Sequence, residues 1–493
     1  MERMDPVVER WFRSRFDSLT APQATAIPLI DERRSTLISS PTGSGKTITA
    51  FLSVINHLFR LNQLGELEDR IYCVYVSPLK ALANDIHKNL EVPLEEIQEM
   101  ARKEGLTIPD IRVAVRSGDT TTAERQRMVK RPPHIFITTP ESLSLVLSTR
   151  KFSEKFDGVE WVIIDEIHDL CSSKRGTLLS LSLEHLQARV GEPLTRVGLS
   201  ATQAPIEEIA GFLVGSEEDE IRDVDIVQVN PEKEIDLKVL IPVDDLENAT
   251  YKDAEAEMHK MLVSLVKEHQ TTLIFTNTRA ATESLVMKLK ELGIQHVAAH
   301  HGSMSKEKRL DVERSLKRGQ LQAIVSSTSL ELGIDIGSID LVVQIGSPKS
   351  ISKLMQRIGR SGHSLGKTPK GRLFALTRDQ LIECAALVRA IRKRRLDEIV
   401  LRRWPRDILA QHIVAIAAFG LFHILDHDGT FDPGVIDELA KRRLASLPDD
   451  VHANGLIGVV GLQPLELALA ADQGHATAGN NAFFYGGTGS MQG

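Results

Sequence analysis

The chain has 493 residues, enough for about two to four domains that each bury a core of their own. Hydrophobic residues make up 42% of it and charged residues 26%, as in an ordinary globular protein. The net charge of -7 argues against a histone-like, uniformly basic protein, although it does not exclude a local basic groove.

The cysteines and the termini bear on the compartment. Cys73, Cys171 and Cys384 lie far apart and match neither a disulfide framework nor a metal-ligand pattern, so we expect three small buried residues. The N-terminus lacks the apolar core of a signal peptide, and the longest apolar run, residues 413–425, is too short to span a bilayer. We therefore predict no membrane association and a cytoplasmic or other reducing compartment.

A Gly-rich turn follows the first predicted strand. The strand, residues 35–39, leads into Ser-Pro-Thr-Gly-Ser-Gly-Lys-Thr at residues 40–47 and then into an apolar helix. This order is typical of a phosphate-binding loop, because inward backbone N–H groups and a helix N-terminus attract a polyphosphate. Lys46 would then contact the phosphates, and the Thr47 hydroxyl would help to hold Mg²⁺. Ser40 stands where Gly is usual, and a flexible Gly/Ser turn without function is the alternative.

Near-continuous apolar strands then alternate with helical segments. This alternation predicts a parallel sheet with helices on both faces. Polar turns follow the strands, and the carboxyl ends of parallel strands share one edge, so we expect these turns to line a ligand-binding edge. The predicted strands occupy residues 71–76, 111–115, 134–137, 161–164 and 196–199.

The pattern begins again after residues 203–250, an acidic stretch with Pro and Gly that suits a hinge between domains. Because only the first α/β domain carries a phosphate loop, one nucleotide between the two domains is expected. Predicted strands of the second domain occupy residues 273–275, 297–299, 323–325 and 341–344. We predict domains at residues 1–230, 231–388 and 389–470, the last beginning with a basic linker, and a disordered tail at 471–493.

The basic segment at residues 384–403 has two open interpretations, a solvated helix face and a linker that contacts phosphates. Residues 407–425 predict a buried helix of a third, small helical domain. After about residue 470 neither a helical nor a strand period is present.

Asp165 and Glu166 follow four apolar strand residues. Asp165 is predicted to bind Mg²⁺, and Glu166 to orient or deprotonate an attacking water. Adjacent strand residues point to opposite faces, so the turn must twist if both carboxylates are to face one site. Acidic residues that merely cap a strand are the alternative. No His-Glu-x-x-His helix supports zinc binding by His168, which we expect to hydrogen-bond across the domain cleft.

Arg357 and Arg360 lie three residues apart and are candidate arginine fingers, which would reach a γ-phosphate when the domains close. Exposed helix arginines are the alternative. Gln23 lies upstream of the phosphate loop, and its amide has the donor and acceptor needed to recognise an adenine edge. A glutamine that merely faces solvent is an equally good interpretation of Gln23.

In this order the motifs resemble those of superfamily-two DExH-type helicases. Asp-Glu-Ile-His-Asp-Leu at residues 165–170, with Ser-Ser-Lys-Arg-Gly at 172–176, resembles the Lhr (large helicase-related) family, and residues 327–337, 356–363 and 404–411 strengthen the match. The resemblance covers about residues 10 to 425. It implies an α/β fold of two tandem RecA-like parallel-sheet domains, followed by a small, partial winged-helix-like helical domain. Family members continue into a β-rich domain, so we expect a truncated chain.

The resemblance also implies an activity. This is an ATP- and Mg²⁺-dependent helicase or translocase that moves 3′ to 5′ along single strands and unwinds duplex DNA or an RNA–DNA hybrid, with a monomer favoured. One alternative is a nucleic-acid binding or annealing module whose ATPase gates strand release without unwinding, and another is an inactive remnant.

Site roles follow from the resemblance position by position. The catalytic residues would be Glu166, Gln356, Arg357 and Arg360, and the metal ligands Thr47 and Asp165. ATP would be bound by Gln23, Thr42, Gly43, Ser44, Gly45, Lys46, Thr47, Gly333 and Asp335. Hydrolysis would be coupled to domain movement by His168, Ser200 and Thr202. Single- and double-stranded nucleic acid would be contacted by Pro78, Ser117, Gly118, Thr139, Thr276, Arg279, Gly302 and Thr328. These contacts are mainly hydroxyls and backbone amides, so binding independent of sequence is expected.

Overall fold

The structure is a computed structural model of the chain. It describes residues 4–40, 44–78, 86–108, 110–201, 203–217, 220–229, 234–331, 339–361, 368–402 and 405–424. The described parts of residues 1–147 and 151–405 form one compact unit, which contains two parallel-sheet domains.

The sheet of the first domain contains seven strands among the described residues, and all of its pairings are parallel. The strands of this part of the chain are β1 (Thr36–Ser39), β2 (Cys73–Val76), β3 (Val113–Arg116), β4 (Ile135–Thr138), β5 (Trp161–Ile164), β6 (Thr195–Ser200), β7 (Ser216–Glu217), β8 (Glu220–Ile221) and β9 (Asp225–Gln228). The sheet order is β3-β4-β2-β5-β6-β1-β9, while β7 and β8 form a separate antiparallel pair.

Helices cover both faces of this sheet. They are α1 (Pro6–Arg15), α2 (Ala21–Asp31), α3 (Lys46–Leu64), α4 (Val92–Lys103), α5 (Thr122–Lys130), α6 (Pro140–Leu147), α7 (Ile167–Cys171), α8 (Lys174–Val190) and α9 (Ile206–Val214). Alternate residues of β5 enter two different cores, because successive strand side chains point to opposite faces. Trp161 and Ile163 pack with the helices α1 to α4, whereas Val162 and Ile164 pack with α6 to α9.

The second domain repeats the architecture with six parallel strands among the described residues. They are β10 (Asp236–Leu240), β11 (Thr272–Phe275), β12 (Val297–His300), β13 (Ala323–Ser326), β14 (Leu341–Ile345) and β15 (Lys370–Phe374), in the sheet order β10-β15-β14-β11-β13-β12. The helices are α10 (Tyr251–Glu268), α11 (Arg279–Glu291), α12 (Lys306–Lys317), α13 (Ile351–Ile358) and α14 (Arg378–Arg392). Leu354 and Ile358 of α13 are buried against Leu373 of β15 and Cys384 of α14.

The sequence predicts a hinge region and the entry into a second domain over residues 203–250. The chain does enter the second sheet here, but the expectation of a hinge is wrong for much of the stretch. It contains the helix α9 and the strands β7 to β10, and β9 and β10 are edge strands of the two large sheets. Only Val227 of β9 is buried, and only Leu237 of β10. A strand that buries so little lacks the continuous apolar run by which the central strands were predicted. The boundary predicted at residues 230/231 falls between β9 and β10.

Strand order divides the carboxyl edge of the first sheet into two halves. The strands β5, β6 and β1 are neighbours, so the turns after Ile164, Ser200 and Ser39 lie side by side. The strands β3, β4 and β2 form the other half of the edge, and their turns also lie together. The predicted nucleotide residues therefore occupy one half of the edge and the predicted strand contacts the other.

One helix, α15 (Arg406–Ile424), belongs to the second compact unit. It confirms the helix predicted at 407–425, but the prediction that it is buried is wrong for its first turns: Arg406 and Asp407 are exposed and Val414 is 41% exposed. The rest of the predicted winged-helix domain and the predicted tail lie outside the described residues. Within the described residues, no helix combines the length and apolarity needed to cross a bilayer.

Gly176 allows α8 to pack closely against the end of α7. A Cβ at Gly176 would lie 2.1 Å from the carbonyl oxygen of Leu170, whereas a Cβ at Gly211 of α9 would meet only Ile221, at 3.5 Å. We predict that Gly176→Ala lowers the free energy of unfolding by about 1–3 kcal/mol, because the backbone must shift. The control Gly211→Ala should raise it by about 0.5–1 kcal/mol, as expected for Gly to Ala inside a helix. Denaturant unfolding measures both, and a stabilised Gly176→Ala protein would contradict the packing.

Candidate nucleotide site and nucleic-acid edge

The phosphate loop connects β1 to α3. Gly45 precedes the helix with φ of +84°, a left-handed conformation that favours glycine. Ser40, the departure from the usual motif, places its Oγ 2.7 Å from Ser44 Oγ, and its carbonyl oxygen accepts a hydrogen bond from Lys46 Nζ. The serine thus adds a contact across the loop that glycine could not make. Thr47 is half-buried in the first turn of α3.

Gln23 lies against this loop. Its Oε1 accepts a hydrogen bond from the Thr20 N–H at 2.9 Å, and a Cβ on Gly45 would come within 2.8 Å of its Nε2. Thr20 Oγ1 donates to the Ser44 carbonyl at 3.1 Å, which ties the start of α2 to the loop. The side chain of Gln23 is buried, so the interpretation as a solvent-facing glutamine is wrong.

Lys46 is buried, and three charged groups act on it. Burial lowers the pKa of Lys46 because desolvation disfavours the ammonium ion. The carboxylates of Glu166 and Asp165 oppose this effect, and the guanidinium of Arg360 adds to it. Arg360, from the second domain, is therefore close enough to Lys46 for their charges to interact. An anion between the two cations would be attracted by both.

The turn after β5 brings both of its carboxylates toward Lys46. Glu166 adopts φ 45° and ψ 43°, a left-handed conformation that few non-glycine residues take. This is the twist that the alternation of strand side chains requires if Asp165 and Glu166 are to face the same site. The Glu166 N–H donates to Asp165 Oδ1 at 3.0 Å, which helps to hold the turn.

Asp165 is buried, and its carboxylate receives a hydrogen bond at 2.6 Å from the hydroxyl of Tyr75 on β2. Burial and the neighbouring Glu166 raise the pKa of Asp165, although Tyr75 and Lys46 pull in the opposite direction. A divalent cation would relieve both causes of the rise. Sequence reasoning missed Tyr75, and a tyrosine inside a buried strand carries no signal of this contact.

His168 connects the two domains. Its Nδ1 accepts a hydrogen bond from the Ala201 N–H at 3.3 Å and lies 3.3 Å from Ser200 Oγ. Its Nε2 lies 2.9 Å from the side-chain amide of Gln356 on α13. Burial lowers the pKa of His168, which favours the neutral ring. The Gln356 atom that faces His168 Nε2 is its Nε2, so the tautomer of the ring decides whether this amide donates to the ring or must turn to present its oxygen. The cross-domain hydrogen bond expected from the sequence is therefore present.

The two candidate arginine fingers differ in their surroundings. Both are buried rather than exposed. The Nε of Arg357 donates to Glu331 Oε1 at 3.0 Å, its guanidinium also donates to Gln344 Oε1, and it lies 4.8 Å from the centre of the Phe275 ring. These partners all belong to the second domain. These contacts tie Arg357 to its own domain, whereas the charge of Arg360 acts across the cleft on Lys46.

The predicted nucleic-acid residues lie at the carboxyl edges of the two sheets, where their turns follow β2, β3 and β4 in the first domain and β11, β12 and β13 in the second. The exposed members are Gly118, Arg279, Gly302 and Thr328, Ser117 is half-buried, and Pro78, Thr139 and Thr276 are buried. Arg279 donates to Ser303 Oγ at 2.6 Å. The Thr276 hydroxyl donates to the carbonyl oxygen of Thr278 at 3.1 Å, and its N–H donates to the carbonyl oxygen of Ser326 at 2.9 Å, so both donors are already engaged within the domain. The predicted residues Thr42, Gly43, Thr202, Gly333 and Asp335 lie outside the described residues.

Two RecA-like domains, a phosphate loop in one and an arginine-bearing helix of the other near it, define the core of a superfamily-two helicase. A family model described as DEAD/DEAH box helicase matches residues 20–209, and one described as helicase conserved C-terminal domain matches residues 255–364. With the relatives described next, they show that the chain belongs to the Lhr (large helicase-related) family of superfamily-two helicases.

Archaeal and bacterial relatives support this membership. The ATP-dependent helicase Lhr-Core of Methanothermobacter thermautotrophicus is 52% identical over 419 residues, which cover 84% of this chain and 48% of the relative. The Lhr helicase/uracil glycosylase of Escherichia coli is 35% identical over 471 residues, covering 85% of this chain and 30% of the relative. The chain spans about half the length of the archaeal relatives it matches.

Solved structures show the same fold. The helicase Lhr of Mycobacterium smegmatis, bound to ssDNA and AMP-PNP, superposes with a TM-score of 0.79 at 39% identity, covering 90% of this chain and 56% of that one. Mss116p bound to ssRNA and AMP-PNP has a TM-score of 0.64 at 20% identity, covering 93% of this chain and 85% of that one, and it supports the fold alone.

The Glu331–Arg357 pair gives a stability prediction. The two side chains are only 9% and 4% exposed. Glu331→Gln should lower the free energy of unfolding by about 3–5 kcal/mol, because it leaves a buried guanidinium without its counter-charge. Replacing both residues, with Glu331→Leu and Arg357→Met, should recover most of that loss.

An exposed ion pair of the same domain is the matched control. Glu247 and Arg378 are 67% and 63% exposed, so Glu247→Gln should cost at most about 1 kcal/mol. Denaturant unfolding of the wild-type chain, Glu331→Gln, the double variant Glu331→Leu/Arg357→Met and Glu247→Gln provides the measurement. Equal losses for Glu331→Gln and Glu247→Gln would show that the buried pair is not needed for stability.

Proposed function

We propose that this chain is an ATP-dependent nucleic-acid helicase or translocase that hydrolyses ATP between its two RecA-like domains. The observation that carries the proposal is the cluster of Lys46, the buried Asp165 and the half-buried Glu166 in one domain, with Arg360 of the other domain close enough for its charge to act on Lys46. Two cations and a pair of carboxylates match the charges of a polyphosphate with its divalent metal. The relative from Mycobacterium smegmatis, whose structure holds AMP-PNP and ssDNA, agrees with this assignment.

The residues of the site fit ATP and Mg²⁺. The glycine loop, Ser44 to Thr47, would hold the phosphates, and Gln23 beside it would recognise the base. Thr47 and Asp165 would hold the metal, since hydroxyl and carboxylate oxygens are the ligands that Mg²⁺ prefers. Bound Mg²⁺ would neutralise charge on the phosphates. Thr42, Gly43, Gly333 and Asp335 are proposed to complete the site on the strength of the family resemblance.

Each described residue would then act in a defined way. Glu166, turned toward the site by its left-handed backbone, would orient and deprotonate the attacking water. Lys46 and Arg360 would stabilise the negative charge that develops on the phosphate oxygens. Arg357, held by Glu331 and Gln344, would fix the position of the helix end rather than move freely. His168 would transmit domain movement by linking Ala201 to Gln356, next to Ser200, and Thr202 is proposed to share this role on the strength of the family resemblance.

The nucleic acid would run along the other half of the sheet edges, past Pro78, Ser117, Gly118 and Thr139 and then past the corresponding turns of the second domain. Strand order supports this path, because those turns are neighbours in each sheet; the turn after β2 lies next to the Asp165 turn, and the turns after β4 and β3 lie progressively farther from it. Hydroxyls and backbone groups there would contact phosphate and sugar, which predicts binding independent of sequence. The direction, 3′ to 5′, rests on the family resemblance. ATPase stimulation by matched DNA, RNA and hybrid strands at one salt concentration would identify the substrate.

The oligomeric state and compartment are part of the proposal. A single chain supplies both Lys46 and Arg360, so a monomer would suffice for hydrolysis. Cys73, Cys171 and Cys384 are all free and buried, which supports the reducing cytoplasm as the compartment.

A labelled forked duplex with a 3′ single-stranded tail tests the activity. We expect ATP-dependent strand separation by the chain and none by Lys46→Ala, which should bind the strand but not hydrolyse ATP, because it lacks the cation that contacts the phosphates. ATP-dependent dissociation from the tail without separation would instead support the annealing or binding module. Turnover at full rate without nucleic acid, and unchanged in Lys46→Ala, would refute the motor.

Arg360 should act mainly in the transition state. Arg360→Ala is expected to lower kcat for ATP hydrolysis on the order of a thousandfold with little change in nucleotide affinity, as for arginine fingers elsewhere. Steady-state hydrolysis and binding of a fluorescent ATP analogue separate these two effects. Arg314→Ala, at a side chain 66% exposed in the same domain, is the matched control and should keep the wild-type rate. Wild-type hydrolysis by Arg360→Ala would remove this arginine from the site.

A further inference from the structure

A short extended segment follows α14 and touches both domains. Residues 397–401, which we call the strap, alternate in exposure: the first, third and fifth side chains are half-buried, whereas Glu398 and Val400 are exposed, Val400 by 71%. This period of two is that of a strand lying on a protein surface. The sequence leaves two interpretations open here, a solvated helix face and a basic linker that contacts phosphates.

One end of the strap is hydrogen-bonded to the start of α13. The carboxylate of Asp397 accepts hydrogen bonds from Ser350 Oγ at 2.6 Å and Ser352 Oγ at 2.6 Å, and from the N–H groups of Ile351 at 3.1 Å and Ser352 at 2.8 Å. Partial burial disfavours the charged carboxylate, but these hydrogen bonds outweigh it and lower the pKa of Asp397.

The other end of the strap lies on the first domain. Glu398 forms a parallel bridge with Ala204, and the Ile399 N–H donates to the Ala204 carbonyl at 2.9 Å. Ile399 and Leu401 pack against the core that includes Ile206 and Ile209 of α9. Ala204 lies three residues after Ala201, whose N–H contacts His168.

These contacts complete a closed circuit between the domains. From Ala201 the circuit passes through His168 to Gln356, along α13 to Asp397, and through the strap back to Ala204. The helix has a cap of its own, since Ser350 Oγ accepts from the Lys353 N–H at 3.2 Å. Asp397 is therefore an additional restraint on the helix, and it comes from a segment anchored on the opposite domain.

We propose that the strap fixes the arginine-bearing helix relative to the first domain and that Asp397 is a positioning residue for ATP hydrolysis. The inference rests on the proposed function of the same site. The helix α13 has only eight residues, and Arg360 lies two residues after its end, so a displacement at its start is carried to the arginine. A catalytic group that is displaced only slightly from its working position loses much of its effect on the reaction rate.

The first test separates positioning from folding. Asp397→Ala should lower kcat on the order of tenfold to a hundredfold while leaving the affinity for a fluorescent ATP analogue unchanged, because Lys46 and its loop are untouched. Asp397→Asn, which keeps an acceptor oxygen at the same distance, should recover part of the rate. Val400→Ala, exposed on the same strap, is the matched control and should hydrolyse ATP at the wild-type rate. Wild-type kcat in Asp397→Ala would overturn the proposal.

The second test asks whether the two ends act as one device. Ile399→Ala loosens the anchor on the first domain. The double variant Asp397→Ala/Ile399→Ala should have a kcat no lower than that of the more impaired single variant, because either change alone already opens the circuit. Losses that multiply would mean two unrelated structural roles and would also overturn the proposal.

Hydrogen exchange of the full chain gives a readout that does not need catalysis. Asp397→Ala should speed exchange at the amides of Ile351 and Ser352, and Val400→Ala should not. If the wild-type chain fails to hydrolyse ATP while Asp397→Ala still speeds hydrogen exchange at these two amides, the proposed function fails and the strap contact stands. Unchanged exchange in Asp397→Ala rejects the strap whatever the ATPase does.

Discussion

The interaction on which the site depends is the mutual compensation of buried charges in the cleft. Lys46, Asp165 and Glu166 lie together in the first domain, and Arg360 acts on Lys46 from the second domain. Burial disfavours the charged forms of Lys46 and Asp165, and their mutual attraction opposes this effect, whereas Arg360 adds to it for Lys46 and Glu166 adds to it for Asp165. A polyphosphate would satisfy the cations and a divalent metal the carboxylates. The same electrostatics that make the site costly in isolation therefore favour a metal–nucleotide complex over either component alone.

Backbone geometry makes this arrangement possible. A regular strand would send Asp165 and Glu166 to opposite faces of the sheet, and the left-handed conformation of Glu166 returns the second carboxylate to the site. The strain of that conformation is of the kind that concentrates at functional sites. His168 lies two residues after Glu166 in the chain, and its ring bridges Ala201 and Gln356. The same short stretch therefore carries the carboxylates and also contacts the second domain.

The parts that the sequence predicts well are those whose burial is continuous. Each residue of Trp161–Ile164 is buried, and a strand of that kind is evident from its residues alone. The half-buried edge strands β9 and β10 lack this run, and their acidic residues favoured a hinge. Site residues followed the same division. Lys46 and Asp165 belong to local motifs, whereas the roles of Glu331 and Asp397 depend on partners 26 and 45 to 47 residues away in the chain. Arg357 and Arg360 are equivalent in sequence, and only their partners distinguish them.

Strand order then explains how nucleotide and nucleic acid can communicate in this fold. The turn after β6 lies between the Asp165 turn and the phosphate loop, so Ser200 and Ala201 are next to both parts of the nucleotide site. From that turn the chain continues to Ala204, where the strap returns from the second domain. A shift of α13 toward or away from the site must therefore displace the strap, or break the hydrogen bonds between the start of α13 and Asp397. Closure of the domains and the geometry of the β6 turn are linked by two contacts, His168–Gln356 and Asp397–α13, rather than by the nucleotide alone.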